Sequence, residues 1–168
     1  SLASRMECLQ NLKEIGYQVG CGFMVGSPYQ PTADLARDLL FIKSFAPHMV
    51  GIGPFIPHHD TPFADKPAGT AELTLFLLAI VRLMNPKVLL PATTALGTIE
   101  GDGRERGILA GCNVVMPNLS PQSVRKKYML YDNKLSSGEE AAEARAALER
   151  RVEAIGYRVV TDRGDYKG

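Results

Sequence analysis

Apolar positions recur along this chain in two alternating styles, helical stripes and short continuous runs. Leu2, Met6, Leu9 and Leu12 to Ile15 fall at helical spacing, and Gly16 suits the residue just past a helix end. Tyr17 to Val25 is an apolar run that predicts a strand, although Gly20 and Gly22 remove side chains that would pack in it. After the loop GSPYQP, Thr32 can cap a helix with Asp34 in its first turn and Leu35, Leu39, Ile42 and Phe45 on its buried face. The alternation then repeats. Met49 to Phe55 predicts a second strand, Pro57 to Gly69 a polar loop, and Thr70 the start of a helix apolar nearly all round and so expected to be sandwiched between other elements. Val88 to Pro91 and Val114 to Met116 predict two further strands, with a helix from about Arg104 to Ala110 between them. A helix capped by Ser120 is expected to run to about Leu130, and Ser137 with Glu140 makes a capping box for an Ala-rich helix ending at Gly156. The polar tail after Val160 is expected to be loosely held.

Short strands without in/out alternation, interleaved with helices, predict an α/β fold on a parallel sheet buried on both faces. The 168 residues suffice for one domain with a sizeable core. They fall short of a complete (β/α)8 barrel, which needs about 250. A net charge of +1 without Lys/Arg blocks offers no basic footprint, so neither nucleic acid nor a membrane surface is expected as a partner. The apolar stretch Leu73 to Val81 is far shorter than the roughly 20 residues that span a bilayer. Cys8, Cys21 and Cys112 form neither a disulfide framework nor a CxxC pair, which suits a reducing, cytoplasmic setting.

Ligands of parallel α/β folds gather at the carboxyl ends of strands, which directs attention to the segments there. GCGFMVG (20 to 26) lacks GxGxxG spacing; it offers close backbone approach to a flat ligand with Met24 as a soft contact, or simply tight packing. In GIGPFIPHHDTP (51 to 62) the prolines stiffen a strand end where Phe55, Ile56 and Pro57 form an apolar wall suited to an adenine ring. His58, His59 and Asp60 suggest a metal, but consecutive side chains of an extended segment point apart and no metal is expected. The tandem Thr93 and Thr94 offer hydroxyls to a carboxylate or other anion, or are ordinary strand residues. Met116 ends the last strand, and Tyr128 and Tyr131 share a helix face, as cavity-lining phenols or as a satisfied buried pair. No nucleophile and base pair, paired carboxylates, HExxH or P-loop emerges, so no catalytic residue is assigned.

Together GCGFMVGSPYQ, MVGIGPFIPHHDTPFA, PATTALGTI, GCNVVMPNLSP and YMLYDNK resemble, in order and over about residues 1 to 135, the FeFe-hydrogenase maturases of the HydE family. These are radical S-adenosylmethionine enzymes akin to biotin synthase and methylornithine synthase. The resemblance implies a (β/α)8 TIM barrel carrying S-adenosylmethionine and one 4Fe–4S cluster. Its 5′-deoxyadenosyl radical would act on a cysteine-bound iron carbonyl cyanide precursor supplied by a sister maturase. Carried over by position, Met24 would lie beside the cofactor and Phe55, Ile56 and Pro57 along the adenosine. Thr93 and Thr94 would form an anion or substrate-carboxylate site, and Met116, Tyr128 and Tyr131 would line the substrate cavity. Nothing before Cys8 resembles the CxxxCxxC cluster loop, and the region after the tyrosines carries no cysteine for an auxiliary cluster. The expectation is therefore the C-terminal half of the barrel over 1 to 135, followed by a helix and tail over 136 to 168. Such a fragment would be inactive alone, would need its missing N-terminal half, and would self-associate through unpaired edges. A biotin synthase-like or methylornithine synthase-like enzyme, or a non-catalytic adenosine-binding half barrel, are the rival readings.

Overall fold

The computed structural model describes residues 1 to 117, 120 to 125, 127, 130 to 133 and 141 to 168. Helix α1 (Leu2–Ile15) is followed by β1 (Gly20–Val25), α2 (Thr32–Phe45), β2 (Met49–Pro54) and α3 (Ala71–Met84). Then come α4 (Thr94–Ile99), α5 (Gly103–Leu109), α6 (Gln122–Arg125) and α7 (Ala141–Ala154). Strands β1 and β2 pair in parallel, Gly20 opposite Met49 through Val25 opposite Pro54. Two single parallel bridges extend the sheet, Met49 with Leu89 and Pro91 with Val114. The strands expected at 88 to 91 and 114 to 116 are thus present as bridged extended segments rather than full ladders, in the spatial order of the chain.

The core lies on one side of this sheet. Val25, Val50, Ile52, Leu90 and Ala92 point into it from the strands, and Leu35 and Ile42 of α2, Leu77, Leu78 and Val81 of α3 and Ile108 of α5 meet them. Leu78 and Val81 are completely enclosed, and burial of such side chains contributes about 1.5–3 kcal/mol each. Thr74 sits among them because its hydroxyl donates to the Thr70 carbonyl at 2.8 Å, which leaves no polar atom unpaired.

Four expectations need correction. α3 is not sandwiched: Phe76 and Leu83 on its far side are 63% and 81% exposed. The tandem threonines are not ordinary strand residues but open α4, a helix the sequence pattern did not predict, since the Thr93 hydroxyl accepts from the Leu96 amide. Among the described residues the helix after Pro121 covers only Gln122–Arg125. The tail is docked: Tyr166 sits edge-on to His48 at 4.9 Å, and Gln18 bonds both Asp165 and the Tyr166 amide. The capping box at Ser137 and Glu140 lies outside the described residues.

Candidate functional site

Strand alternation sends every second residue to the face opposite the helices. On β1 that set is Gly20, Gly22 and Met24, and on β2 it is Met49, Gly51 and Gly53, the less buried positions of each strand. Met24 lies opposite Gly53, and the bridge from Met49 to Leu89 carries the register on to Thr93. A Cβ on Gly53 would lie 2.6 Å from the Thr93 hydroxyl oxygen, which confirms that the two residues meet. The bridge from Pro91 to Val114 extends the same row to Met116. Met24, Gly53, Thr93 and Met116 therefore form one row across the carboxyl end of the sheet, on the face the helices leave uncovered. Met24 and Met116 are 59% and 57% exposed there. Behind them Gly22 and Gly51 keep the surface flat, and a Cβ on Gly22 would strike the Gly51 carbonyl.

Beside this row a polar cluster spans α4 and α5. The Thr94 hydroxyl accepts from Arg104 Nη2 at 3.1 Å, and the Arg104 stem runs along Gly97, whose missing side chain leaves room for it. Tyr131 approaches from the later segment and is bonded to the Thr98 side chain. Burial pushes the Tyr131 phenol up, opposed by that bond and by nearby Arg104, so it stays neutral at ordinary pH. The Arg104 guanidinium is lowered chiefly by burial, then by Arg151, and its Nε is enclosed without a partner. An arginine nonetheless remains charged, because its ordinary value is far above neutral. Tyr128 lies outside the described residues. The sequence reading missed Arg104, which in GDGRERG is one of several charged residues near a turn. Only the fold brings it to the threonines.

The adenine wall is only partly available. Phe55 is 7% exposed, its ring edge-on to Phe63 at 6.2 Å, while Ile56 and Pro57 are half-buried. The His58–Asp60 segment is a turn, not an extended strand, and this corrects the expectation that its side chains diverge. The Asp60 amide donates to His58 Nδ1, the two imidazoles stack at 4.4 Å, and a ligand atom from each of His58, His59 and Asp60 lies within 4.8 Å of the others. His59 Nδ1 also meets Asp132 Oδ1 at 2.6 Å, joining this loop to the segment that carries Tyr131. That bond, then Asp60, hold His59 above its ordinary value, and the same bond holds Asp132 below its own.

The cysteines do not converge. Cys8 is exposed on α1, Cys21 lies half-buried in β1, and Cys112 is buried. Desolvation first, then Asp38, pushes the Cys21 thiol up to about 11, and desolvation pushes Cys112 up to about 12 against a smaller effect of Arg82. Among the described residues no helix is long and apolar enough to cross a membrane.

No family model matches the chain. It is 44% identical over 167 residues to the [FeFe] hydrogenase maturase subunit HydE of Thermotoga maritima, covering 99% of this chain and 48% of that protein. Against the 3-methylornithine synthase of Methanosarcina barkeri it is 30% identical over 164 residues, 94% of this chain and 43% of the relative. A biotin synthase of Corynebacterium urealyticum is 33% identical over 116 residues, 67% of this chain and 33% of the relative. The chain thus spans about half the length, or less, of the curated relatives it matches.

Proposed function

We propose that this chain, a relative of the HydE maturase along its whole length and of radical S-adenosylmethionine enzymes more widely, is the C-terminal half of a (β/α)8 barrel in such an enzyme. Residues 1 to 135 supply the last barrel units and 136 to 168 a closing helix and tail. The observation that carries the reading is the row Met24, Gly53, Thr93 and Met116 on the uncovered sheet face, because the carboxyl end of a parallel barrel is where its ligands sit.

The residues of this chain do not fit a 4Fe–4S cluster. Three converging thiolates are needed, and Cys8, Cys21 and Cys112 are scattered, one exposed, one half-buried and one buried. The cluster therefore belongs to other parts of a longer protein, and we assign no auxiliary cluster to this one. Met24, Ile56 and Pro57 do fit an adenosine, which asks for apolar and polarisable contacts on a flat ring. Thr93 and Thr94 hold the substrate carboxylate or another anion, Met116 and Tyr131 belong to the substrate cavity, and Tyr128 is assigned to it by the resemblance of its YMLYDNK segment alone. For the longer protein the assigned reaction is reductive cleavage of S-adenosylmethionine. In that longer protein, S-adenosylmethionine held along Met24, Ile56 and Pro57 would supply radical chemistry toward a cysteine-bound iron carbonyl cyanide precursor passed on by a sister maturase in the cytoplasm.

The test is anaerobic reconstitution of the longer protein with iron and sulfide, followed by quantification of 5′-deoxyadenosine after reduction. Product from the longer protein and none from the 168-residue chain is expected. A reconstituted longer protein that yields no 5′-deoxyadenosine would sink the assignment. Restoration of hydrogenase activity in a strain lacking its maturase separates the maturase from biotin synthase-like and methylornithine synthase-like chemistry.

A further inference from the structure

Thr93 and Thr94 share an unusual hydrogen-bond state. Each hydroxyl oxygen accepts a bond from the protein, Thr93 from the Leu96 amide at 3.3 Å and Thr94 from Arg104 Nη2 at 3.1 Å. Neither hydroxyl donates to any described residue, so two adjacent O–H groups are left with their protons unassigned. A hydroxyl cannot point its proton at a group that is donating to it, and accepting from a cation makes it a stronger donor.

The charges around Arg104 add to this. Glu105 is its nearest carboxylate in the chain, but that side chain is already paired with Arg151, whose Nη2 meets Glu105 Oε2 at 2.8 Å. Tyr131 is neutral, and Arg151 is a second cation. Among the described residues no carboxylate forms an ion pair with Arg104, and its enclosed Nε has no acceptor. A partly buried cation that no carboxylate among the described residues pairs directly thus stands behind the Thr94 hydroxyl, next to that of Thr93. The natural complement is a ligand that accepts hydrogen bonds and carries negative charge.

We infer that Arg104 is the positioning residue of this site, holding the Thr94 hydroxyl as a donor and charging the Thr93–Thr94 mouth so that it selects a carboxylate-bearing ligand. The inference rests on the substrate subsite assigned above to the threonine pair. It adds the residue that sets the sign of the ligand. Arg104 acts through Thr94, so the two substitutions should not add in a double mutant.

The test is an amide NMR titration of the 168-residue chain with sodium acetate, against methylammonium chloride at equal ionic strength. Acetate is expected to move the amides of Thr93 to Gly97 and the Arg104 Nε–H saturably, and methylammonium to leave them in place. Arg104→Met should weaken acetate by about tenfold or more, the scale of one lost charge-assisted bond. Thr94→Val should weaken it comparably, and the double variant should be no weaker than either alone. Arg104→Lys should retain part of the affinity. If Arg104→Met fails to fold, Arg104→Gln, which keeps an amide donor and removes the charge, carries the same expectation. Unchanged acetate affinity in a folded Arg104→Met or Arg104→Gln chain, with loss in Thr94→Val, overturns the role of Arg104 and leaves the threonine subsite standing. No saturable response to acetate in the unsubstituted chain overturns the inference outright, whatever the yield of 5′-deoxyadenosine from the longer protein.

Discussion

Gly51 and Gly53 stand two residues apart on the same face of β2, yet alanine at each should behave differently. A Cβ on Gly51 meets nothing within 4 Å. Alanine there should be neutral or stabilising by up to about 0.5–1 kcal/mol, the usual entropic penalty of glycine in a strand. A Cβ on Gly53 lies 2.6 Å from Thr93 Oγ1 and 3.4 Å from Thr93 Cβ and Cγ2. The cheapest relief is rotation of the Thr93 side chain, which breaks its bond to the Leu96 amide at the start of α4. Loss of such a cap costs about 0.5–2 kcal/mol, against which the glycine-to-alanine gain is set. The two variants should therefore differ by the cap loss, about 0.5–2 kcal/mol, or roughly 1–8 °C in Tm for a chain of this size. Urea unfolding followed by far-UV circular dichroism measures the difference. Adding Thr93→Ala removes the colliding atoms, so Gly53→Ala should become harmless in that background. Equal stabilities for Gly51→Ala and Gly53→Ala, or no rescue by Thr93→Ala, would refute the row in which Gly53 abuts Thr93.

Two solution measurements bear on other parts of the molecule. His59 is held above its ordinary value by Asp132, so this pairing contributes below the unfolded histidine value of about 6.5 and is lost as pH rises through the folded one. Asp132 is held low, so its share is present above the unfolded carboxylate value and lost as pH falls through the folded one. The pair is thus ionic between the lowered Asp132 value and the raised His59 value. NMR titration of the His59 ring should give a midpoint above 6.5 that drops on Asp132→Asn; an unmoved midpoint contradicts the bond. Because Cys21 and Cys112 are pushed up to about 11 and 12, iodoacetamide at mildly alkaline pH should label Cys8 alone. Rapid labelling of a Cys8→Ser chain would show that the other two are not enclosed.

Apart from α4, which was not predicted, the order of helices and parallel extended segments was legible because each apolar run was bounded by Gly, Pro or a capping threonine. What periodicity could not convey was coverage. The apolar circumference of α3 suggested enclosure, but Phe76 and Leu83 face outward, since a pattern shows which positions are apolar and not how many neighbours exist to cover them. At the site, Thr93, Met24 and Met116 could be singled out as strand-end residues. Their convergence into one row depends on register, which a single sequence does not contain. Arg104 was invisible for a different reason. An arginine next to Gly103 at the start of a predicted helix looks like a solvated helix end until Gly97 is seen to make room for its stem. The His58–Asp60 turn misled because extended geometry was assumed where the chain folds back.

On the half-barrel reading proposed above, the uncovered face that exposes the candidate site is one that further barrel units would close. Helix α1 buries none of its residues, and Leu2 and Ile15 are 74% and 71% exposed. It is held to α2 chiefly by Lys13, which donates to the Phe45 and Ala46 carbonyls and lies 4.7 Å over the Phe45 ring. Between α1, β1 and α2 runs an open groove of about 970 Å³, lined by Leu2, Met6, Leu9, Gly20, Gly22 and Phe41. Among the described residues β1 pairs with β2 alone, so its other edge offers unpaired backbone groups beside that apolar groove. A further parallel strand with its helix would satisfy both at once, as the missing half of a barrel does. Without it, the same edge and groove are available to a second copy. Light scattering of the isolated chain should therefore give a mass well above 18.3 kDa. Addition of the N-terminal half of the longer protein should replace that species by a one-to-one complex. A chain that stays monomeric and well dispersed at high concentration, and ignores the added half, would mean that β1 is a protected edge and the half-barrel assignment is wrong.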